Sequence, residues 1–340
     1  MASSPTSKPT ALLEQHMKPL DRYLKTGGKD VTDICINRPG EIFIDSKSHG
    51  WKQHHDKEIT EERLRMLAEV IATTSGQKFN DEYPILATDL PGYGYRCHIL
   101  NKSIAYDGIS VSIRKSTADK YPISSYFAPI PGLDWKKEIC NAKDPHEAIA
   151  DEIKPLLEQG KEDEAISILM KKGGAVVVCG GTSSGKTSFV NSMVESIPLT
   201  ERIITIEDTH ELQLPHKNRV HIVKSKSGSD IGKVSYSEVI DSTNRMRPDR
   251  VFFGELDVPS TLAFLRSINT GHRGSMATVH ANSPERVISA LVMNLQLANF
   301  PANEVVLEKY VRTLLTAIVF ARCIEWGGQK YFRSEVVLLK

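Results

Sequence analysis

The chain has 340 residues, and at roughly 150 residues per domain that length predicts about two domains. It carries 43 Lys+Arg against 42 Asp+Glu, a formal net charge of +1, which argues against a nucleic-acid binder with a wholly basic surface. The five cysteines, Cys35, Cys97, Cys140, Cys179 and Cys323, are odd in number, far apart and never in a Cys-x-x-Cys pair, so neither a disulfide framework nor a structural zinc site is expected.

Residues 1–10 hold no apolar core and read as a disordered lead, not as a signal peptide. Residues 11–115 read as an N-terminal α/β domain. Leu12 to Leu24 has apolar residues at helical spacing. Val31 to Ile36 alternates like a strand, Asn37-Arg-Pro-Gly40 is turn chemistry, and Glu41 to Ile44 returns, which predicts a hairpin. Glu61 to Ile71 reads as an amphipathic helix with Leu64, Leu67, Ala68 and Ile71 on one face. Tyr95 to Leu100 and Gly108 to Arg114 read as strands. Residues 116–161, with Pro122, Pro129, Pro131 and Pro145, read as a linker carrying short helices, because so long a connection inside one compact domain is unusual. Residues 162–340 form the second domain. Its apolar runs Val176–Cys179, Ile203–Ile206, Val220–Val223 and Val251–Phe253 suit strands buried on both faces. Strands alternating with helical segments predict an α/β fold with a largely parallel sheet. The uncharged run Val287–Asn303 contains Asn294, Gln296, Asn299 and Pro301 and follows a helix start at Ser283-Pro-Glu285, so it is a helix and turn and not a membrane span.

The strongest chemical signal is Gly180-Gly181-Thr182-Ser183-Ser184-Gly185-Lys186-Thr187, followed by Ser188. This is the G-x-x-x-x-G-K-[ST] phosphate loop. Its glycines let successive N–H groups turn inward onto an anion, and the helix that follows, from Thr187 to about Ser196, adds its positive end. Lys186 supplies a full charge to the β/γ-phosphates, and the Thr187 hydroxyl suits Mg²⁺. Guanine recognition would want Asn-Lys-x-Asp, and the only Asn-Lys pair continues as Ser103-Ile104, so ATP is the expected nucleotide.

Hydrolysis also needs carboxylates and a group that orients water. Two acidic clusters follow strands of the same unit: Glu207-Asp208 with Glu211, and Glu255. Both lie beyond carboxyl ends of strands, where open α/β sheets bind ligands. Glu255 is the candidate for polarising the attacking water and Glu207 for the Mg²⁺ shell, each acting on the metal through water; on sequence grounds the two roles are interchangeable. His272 and His280 lie eight positions apart in a Gly/Ser/Thr-rich stretch, readable either as a γ-phosphate sensor or as turn histidines. The basic segment His216–Lys226 reads as a solvated hairpin, with a face for substrate or anionic lipid as the other reading.

Four elements in order, GGTSSGKT (180–187), TIEDTHEL (205–212), RMRPDRVFFGE (245–255) and TGHRGSMATVHA (270–281), resemble the Walker A, Asp, Walker B and His boxes of secretion-superfamily traffic ATPases. VTDICINRPGEIFID (31–45) and ISVSIRK (109–115) resemble the N-terminal domain of the VirB-eleven family of bacterial type IV secretion. The resemblance implies a RecA-like P-loop NTPase C-terminal domain, a smaller N-terminal α/β domain, and a six-subunit ring. ATP and Mg²⁺ would sit between the two domains, near a subunit interface. It places Lys186, Glu207, Glu255 and His280 in catalytic positions. Arg96 and Arg114 fall on arginines that approach the γ-phosphate, a role in which their charge-assisted bonds would link phosphate state to domain angle. It further implies ATP hydrolysis coupled to translocation and pilus assembly, an inner-membrane channel and coupling ATPases as partners, no direct DNA binding, and a cytoplasmic, peripheral location at the inner membrane. A type IV pilus or type II secretion ATPase is the alternative; the four-cysteine zinc module typical of the type II enzymes is missing from the sequence. Two departures stand out: Asp257 where the family usually has arginine, and Gly181 and Ser183 where proline and glycine are frequent.

Overall fold

The structure is a computed structural model that describes residues 11–25, 28, 30–115, 122–134, 143–225 and 231–340. The lead 1–10, Cys140, Lys226 and parts of the connection, 116–121 and 135–142, lie outside the described residues.

The N-terminal domain is a six-stranded antiparallel sheet covered by two helices. Strands β1 (Val31–Arg38), β2 (Glu41–Ser46), β3 (Gly50–His55), β4 (Ile85–Leu90), β5 (Tyr95–Leu100) and β6 (Ser110–Arg114) stand in the order β3-β2-β1-β6-β5-β4. The expected hairpin is β1–β2, with Ile36 opposite Ile42 and Gly40 at φ 81°, a left-handed turn position that suits glycine. Helices α1 (Ala11–Lys25) and α2 (Glu61–Thr74) lay Leu13, Met17, Leu20, Leu64, Leu67 and Ile71 onto the sheet. Strands β3 and β4 have no counterpart in the sequence reading: Gly50–His55 offers Trp51 and no alternating apolar face, so its place at the sheet edge comes from pairing with β2.

The C-terminal domain is built on a seven-stranded sheet. Strands β7 (Val176–Gly180), β8 (Ile203–Glu207), β9 (Arg219–Val223), β10 (Arg250–Phe253), β11 (Met276–His280), β12 (Ala317–Trp326) and β13 (Gln329–Leu338) follow the order β13-β12-β7-β11-β10-β8-β9. All neighbours are parallel except the antiparallel pair β12–β13. The apolar runs are buried on both faces, as parallel strands require. Val176 and Val178 face a core shared with α3 (Pro145–Glu158), α4 (Glu162–Lys171) and α5 (Lys186–Met193). Val177 and Cys179 face another shared with α7 (Val258–Asn269), α8 (Pro284–Leu297) and α9 (Glu304–Leu314). A further helix, α6 (Tyr236–Thr243), adds Val239 and Ile240.

Helix α3 falls in the stretch read as linker, yet it packs with this domain. Asp144 caps it, accepting from the His146 and Glu147 amides, and Ile149 and Ile153 enter the core. The segment read as a solvated hairpin is also different in the structure. Residues 219–223 are a parallel edge strand, His216, Asn218, His221 and Lys224 are buried, and the N-terminal domain meets this stretch at Asn218 through Asn37 and at 221–223 through residues 104–106.

The interface between the domains holds a polar cluster built on Arg202, which is fully buried. Its guanidinium donates to Asn37 Oδ1, to Asn218 Oδ1 at 2.6 Å and to the Met246 carbonyl at 2.9 Å. Trp51 from β3 donates to Asp249 at 3.2 Å, and Arg247 pairs with Asp45 at 3.1 Å. A buried guanidinium stripped of an acceptor carries a desolvation penalty. Asn37→Ala is therefore expected to cost about 1–3 kcal/mol, read as a lower urea midpoint; an unchanged midpoint would show that Arg202 does not depend on the N-terminal domain.

Candidate active site

Strand β7 ends at Gly180 and α5 begins at Lys186, so residues 180–187 span a strand-to-helix turn. Sterics fix two of its glycines. A Cβ on Gly180 would collide with Ser184 Oγ and the Ala321 carbonyl. Gly185 has φ 85°, and a Cβ there would come within 2.8 Å of the Phe332 ring. Ser183 adopts φ 59°, a left-handed conformation that a non-glycine residue takes only where the surroundings impose it. No side chain caps α5, and Ser184 Oγ is buried without a hydrogen-bond partner. Unused donors at a helix N-terminus and an orphaned hydroxyl form a cradle for an anion. Lys186 Nζ folds over the loop, donating to the Gly180 and Gly181 carbonyls at 2.9 Å each. Burial lowers its pKa, against the opposing pull of Glu255.

The carboxyl ends of β7, β11 and β10 bring Lys186, His280 and Glu255 into one line. Lys186 Nζ is 3.4 Å from His280 Nδ1, and His280 Nε2 is 3.5 Å from Glu255 Oε1. Thr187 Oγ1 donates to Glu211 Oε2 at 3.0 Å. A small cavity of about 110 Å³ is lined by Thr187, Glu207, Asp208, Glu211, Glu255 and Thr278. Hydroxyl and carboxylate oxygens around a space of this size are the hard donors that suit a hydrated Mg²⁺. A neighbouring cavity of about 570 Å³ runs along Gly180, Gly181, Thr182, His280, Asn282 and Arg286.

Glu207, expected in the Mg²⁺ shell, lies at the end of β8 on the wall of the smaller cavity. It is 2% exposed, and its oxygens are taken by the protein. Oε2 accepts from the Glu211 and Leu212 amides at 2.8 Å each, and Oε1 accepts from Thr205 Oγ1 at 2.6 Å. Burial pushes this carboxyl up, but the bonds from His221, Thr205 and the two amides outweigh it and hold its pKa below the ordinary value. The carboxylate that meets Thr187 is Glu211, four residues on; nothing in the acidic run distinguishes the two before the loop is folded.

Glu207, His210 and His221 place ligand atoms within 4.8 Å of one another. Their bonding opposes metal binding. Arg219 Nε donates to His221 Nε2 at 3.1 Å, so that nitrogen is an acceptor and Nδ1 carries the proton, 2.9 Å from Thr205 Oγ1. His221 thus spends both nitrogens, and Glu207 both oxygens, on protein partners.

Arg96 and Arg114 are not brought to the phosphate loop in this chain. They are paired across β5 and β6, and Arg114 Nε donates to Asp33 at 3.1 Å. Arg114 lines a separate cavity of about 1320 Å³ between the domains, together with Trp51, Arg247 and His272, and no loop residue reaches it. His272 therefore also stands apart from His280. Burial lowers the His272 pKa. Asp257 caps α7: its Oδ1 accepts from the Ser260 amide at 3.0 Å, and Ser260 Oγ accepts in return from the Asp257 amide at 2.8 Å. A short acceptor is the better residue for that position, which accounts locally for the aspartate.

Two outcomes follow for stability. Glu207→Gln is expected to cost about 1–3 kcal/mol at pH 7, the scale of hydrogen bonds to a charged group. Because the folded pKa is depressed, the charged form's contribution is full above the ordinary carboxylate range and fades as pH falls through the folded value. The gap in melting temperature between wild type and Glu207→Gln should close on acidification; a constant gap would contradict the assignment. Asp257→Ala should cost about 1 kcal/mol in the same melts, as loss of an N-cap does.

The family described as Type II/IV secretion system protein matches residues 146–321. The type IV secretion system protein VirB11 of Bartonella quintana is 30% identical over 294 residues, covering 82% of this chain and 79% of that one. The type IV secretion system protein PtlH of Bordetella pertussis is 30% identical over 289 residues, covering 83% and 81%. The crystal structure of the VirB11 ATPase from the Brucella suis type IV secretion system, in complex with sulphate, superposes with a TM-score of 0.83 at 26% identity, over 96% of this chain and 94% of that one. With likeness running through both domains and a phosphate loop facing acidic strand ends, the chain belongs to the VirB11 family of type IV secretion ATPases.

Proposed function

We propose that the cleft at the ends of β7, β10 and β11 hydrolyses ATP with Mg²⁺, and that Lys186, His280 and Glu255 carry the reaction. The observation that supports this most is the line of those three side chains beside the Thr187–Glu211 pair. The sulphate of the Brucella suis protein is an anion of phosphate's shape and charge, which favours the same class of ligand here. A triphosphate would draw Lys186 from the loop carbonyls to its β/γ oxygens, replacing two neutral acceptors with charge-assisted bonds. Glu255 would polarise the water that attacks the γ-phosphorus; the bond to the β-bridging oxygen breaks, giving ADP and phosphate. His280, within reach of both, would register whether the γ-phosphate is present. Thr187, Glu211 and Asp208 would hold Mg²⁺ directly or through water, and the ion supplies neutralisation of the developing phosphate charge.

In the wider reading the chain works as a six-membered ring. It would lie against the inner face of the inner membrane through the channel proteins and coupling ATPases of its secretion system, with no direct contact to DNA. No described helix is long and apolar enough to cross a membrane. Native mass measurement with ATP and Mg²⁺ should show six subunits; a persistent monomer would remove the ring.

The chemical test is a phosphate-release assay. Lys186→Ala should abolish turnover with melting temperature retained. Glu255→Gln should keep ATP binding while kcat falls by about 10²–10⁴, the range for loss of a general base. Turnover at the wild-type rate in either variant would refute the site.

A further inference from the structure

The loop between β5 and β6 leaves the N-terminal domain and docks on the free edge of the C-terminal sheet. The Val223 amide donates to the Ile104 carbonyl and the Tyr106 amide to the His221 carbonyl, both at 2.9 Å, while Ala105 pairs antiparallel with Ile222. Ile104 and Ala105 share a small core with Ile204, Val220 and Ile222. The edge of the ATPase sheet is thereby closed by the other domain. At the end of this added strand the Tyr106 ring stacks on His210, centroids 4.1 Å apart and tilted by 32°. On its other side His210 meets His221 edge-on at 4.4 Å. His210 Nδ1 is buried with no hydrogen-bond partner and lies 3.6 Å from Glu207 Oε1, so the ring is positioned by its two aromatic neighbours and that carboxylate. It sits in the loop whose amides clamp Glu207 and which ends in Glu211, the carboxylate on Thr187.

We propose that Tyr106 is a positioning residue for hydrolysis. By stacking on His210 it holds the 207–211 loop in place, so that Glu211 faces Thr187 only while the N-terminal domain is docked. The path runs from Tyr106 through His210 to the loop, and from the loop to the metal side of the triphosphate. It rests on the ATPase reading of the cleft. Tyr106 itself is 60% exposed, and its ring contact adds to the backbone pairing of residues 104–106 with β9. The phenol oxygen has no part in that contact, and the ring does.

The test is steady-state ATP hydrolysis by the full chain, with Mg²⁺ titrated. Tyr106→Ala should lower kcat about three- to tenfold, the scale of one aromatic pair, and raise the Mg²⁺ concentration for half-maximal rate. KM for ATP should stay within about twofold, since the loop and Lys186 are untouched. Tyr106→Phe should restore the wild-type rate. His210→Ala should match Tyr106→Ala, and the double variant should be no slower than either single one. If Tyr106→Ala lowers the melting temperature, Tyr106→Leu replaces it, keeping apolar bulk without the ring. Lys186→Ala in the same assay separates the two ideas: turnover surviving there removes the ATPase site itself. With Lys186→Ala inactive, an unimpaired Tyr106→Ala, a Tyr106→Phe as slow as the alanine variant, or losses that multiply in the double variant would overturn the coupling.

Discussion

Parallel strands deliver their carboxyl ends to one edge of a sheet, and everything in the active cleft depends on that constraint. Strand β7 contributes the phosphate loop, β11 ends in His280, β10 leads to Glu255 and β8 ends in Glu207. These residues lie up to a hundred positions apart in the chain. Neighbouring strands run about 4.8 Å apart, so side chains leaving adjacent strand ends are within hydrogen-bonding reach almost automatically. The order β7-β11-β10 therefore sets the order Lys186, His280, Glu255. The antiparallel partner β13 lies on the opposite side of β7 and sends Phe332 against Gly185, closing the loop from behind.

The carboxylates that line this cleft differ in burial and in the partners that the protein gives them. Glu207 is buried and bonded on both oxygens, so it organises the loop after β8. Glu211 and Glu255 line the cavity beside Thr187. Burying an anion is tolerated only where amides and hydroxyls replace water, and those partners lower its pKa where burial alone would raise it. The same logic governs Arg202 at the domain interface. Its positive charge is solvated by amide and carbonyl oxygens in place of a carboxylate.

That interface combines polar contacts, one short strand addition and a small apolar cluster around Ile104 and Ile222. Its position matters more than its strength. The β5–β6 loop touches the sheet edge two strands from β10, the strand that leads to Glu255, and the loop after β8 lies between. Through Tyr106 on His210 the docked domain touches the Asp-box loop.

The sequence by itself determined the phosphate loop, the parallel α/β character of the second domain and the family, because a glycine-rich turn between a doubly buried strand and a helix has few other uses and each box is contiguous. It also marked the acidic strand ends. Tertiary structure decided which acid does what: Glu207 and Glu211 differ in how the folded loop spends their oxygens, and no local pattern records that. It decided that Asp257 caps a helix, that residues 145–158 belong to the ATPase core and that residues 219–223 form a covered edge strand. Arg96 and Arg114 show the same limit. A motif carries a residue's identity along the chain, while its reach depends on how two domains pack, and packing is set by long-range contacts such as Arg202 with Asn37 that have no signature in either segment alone.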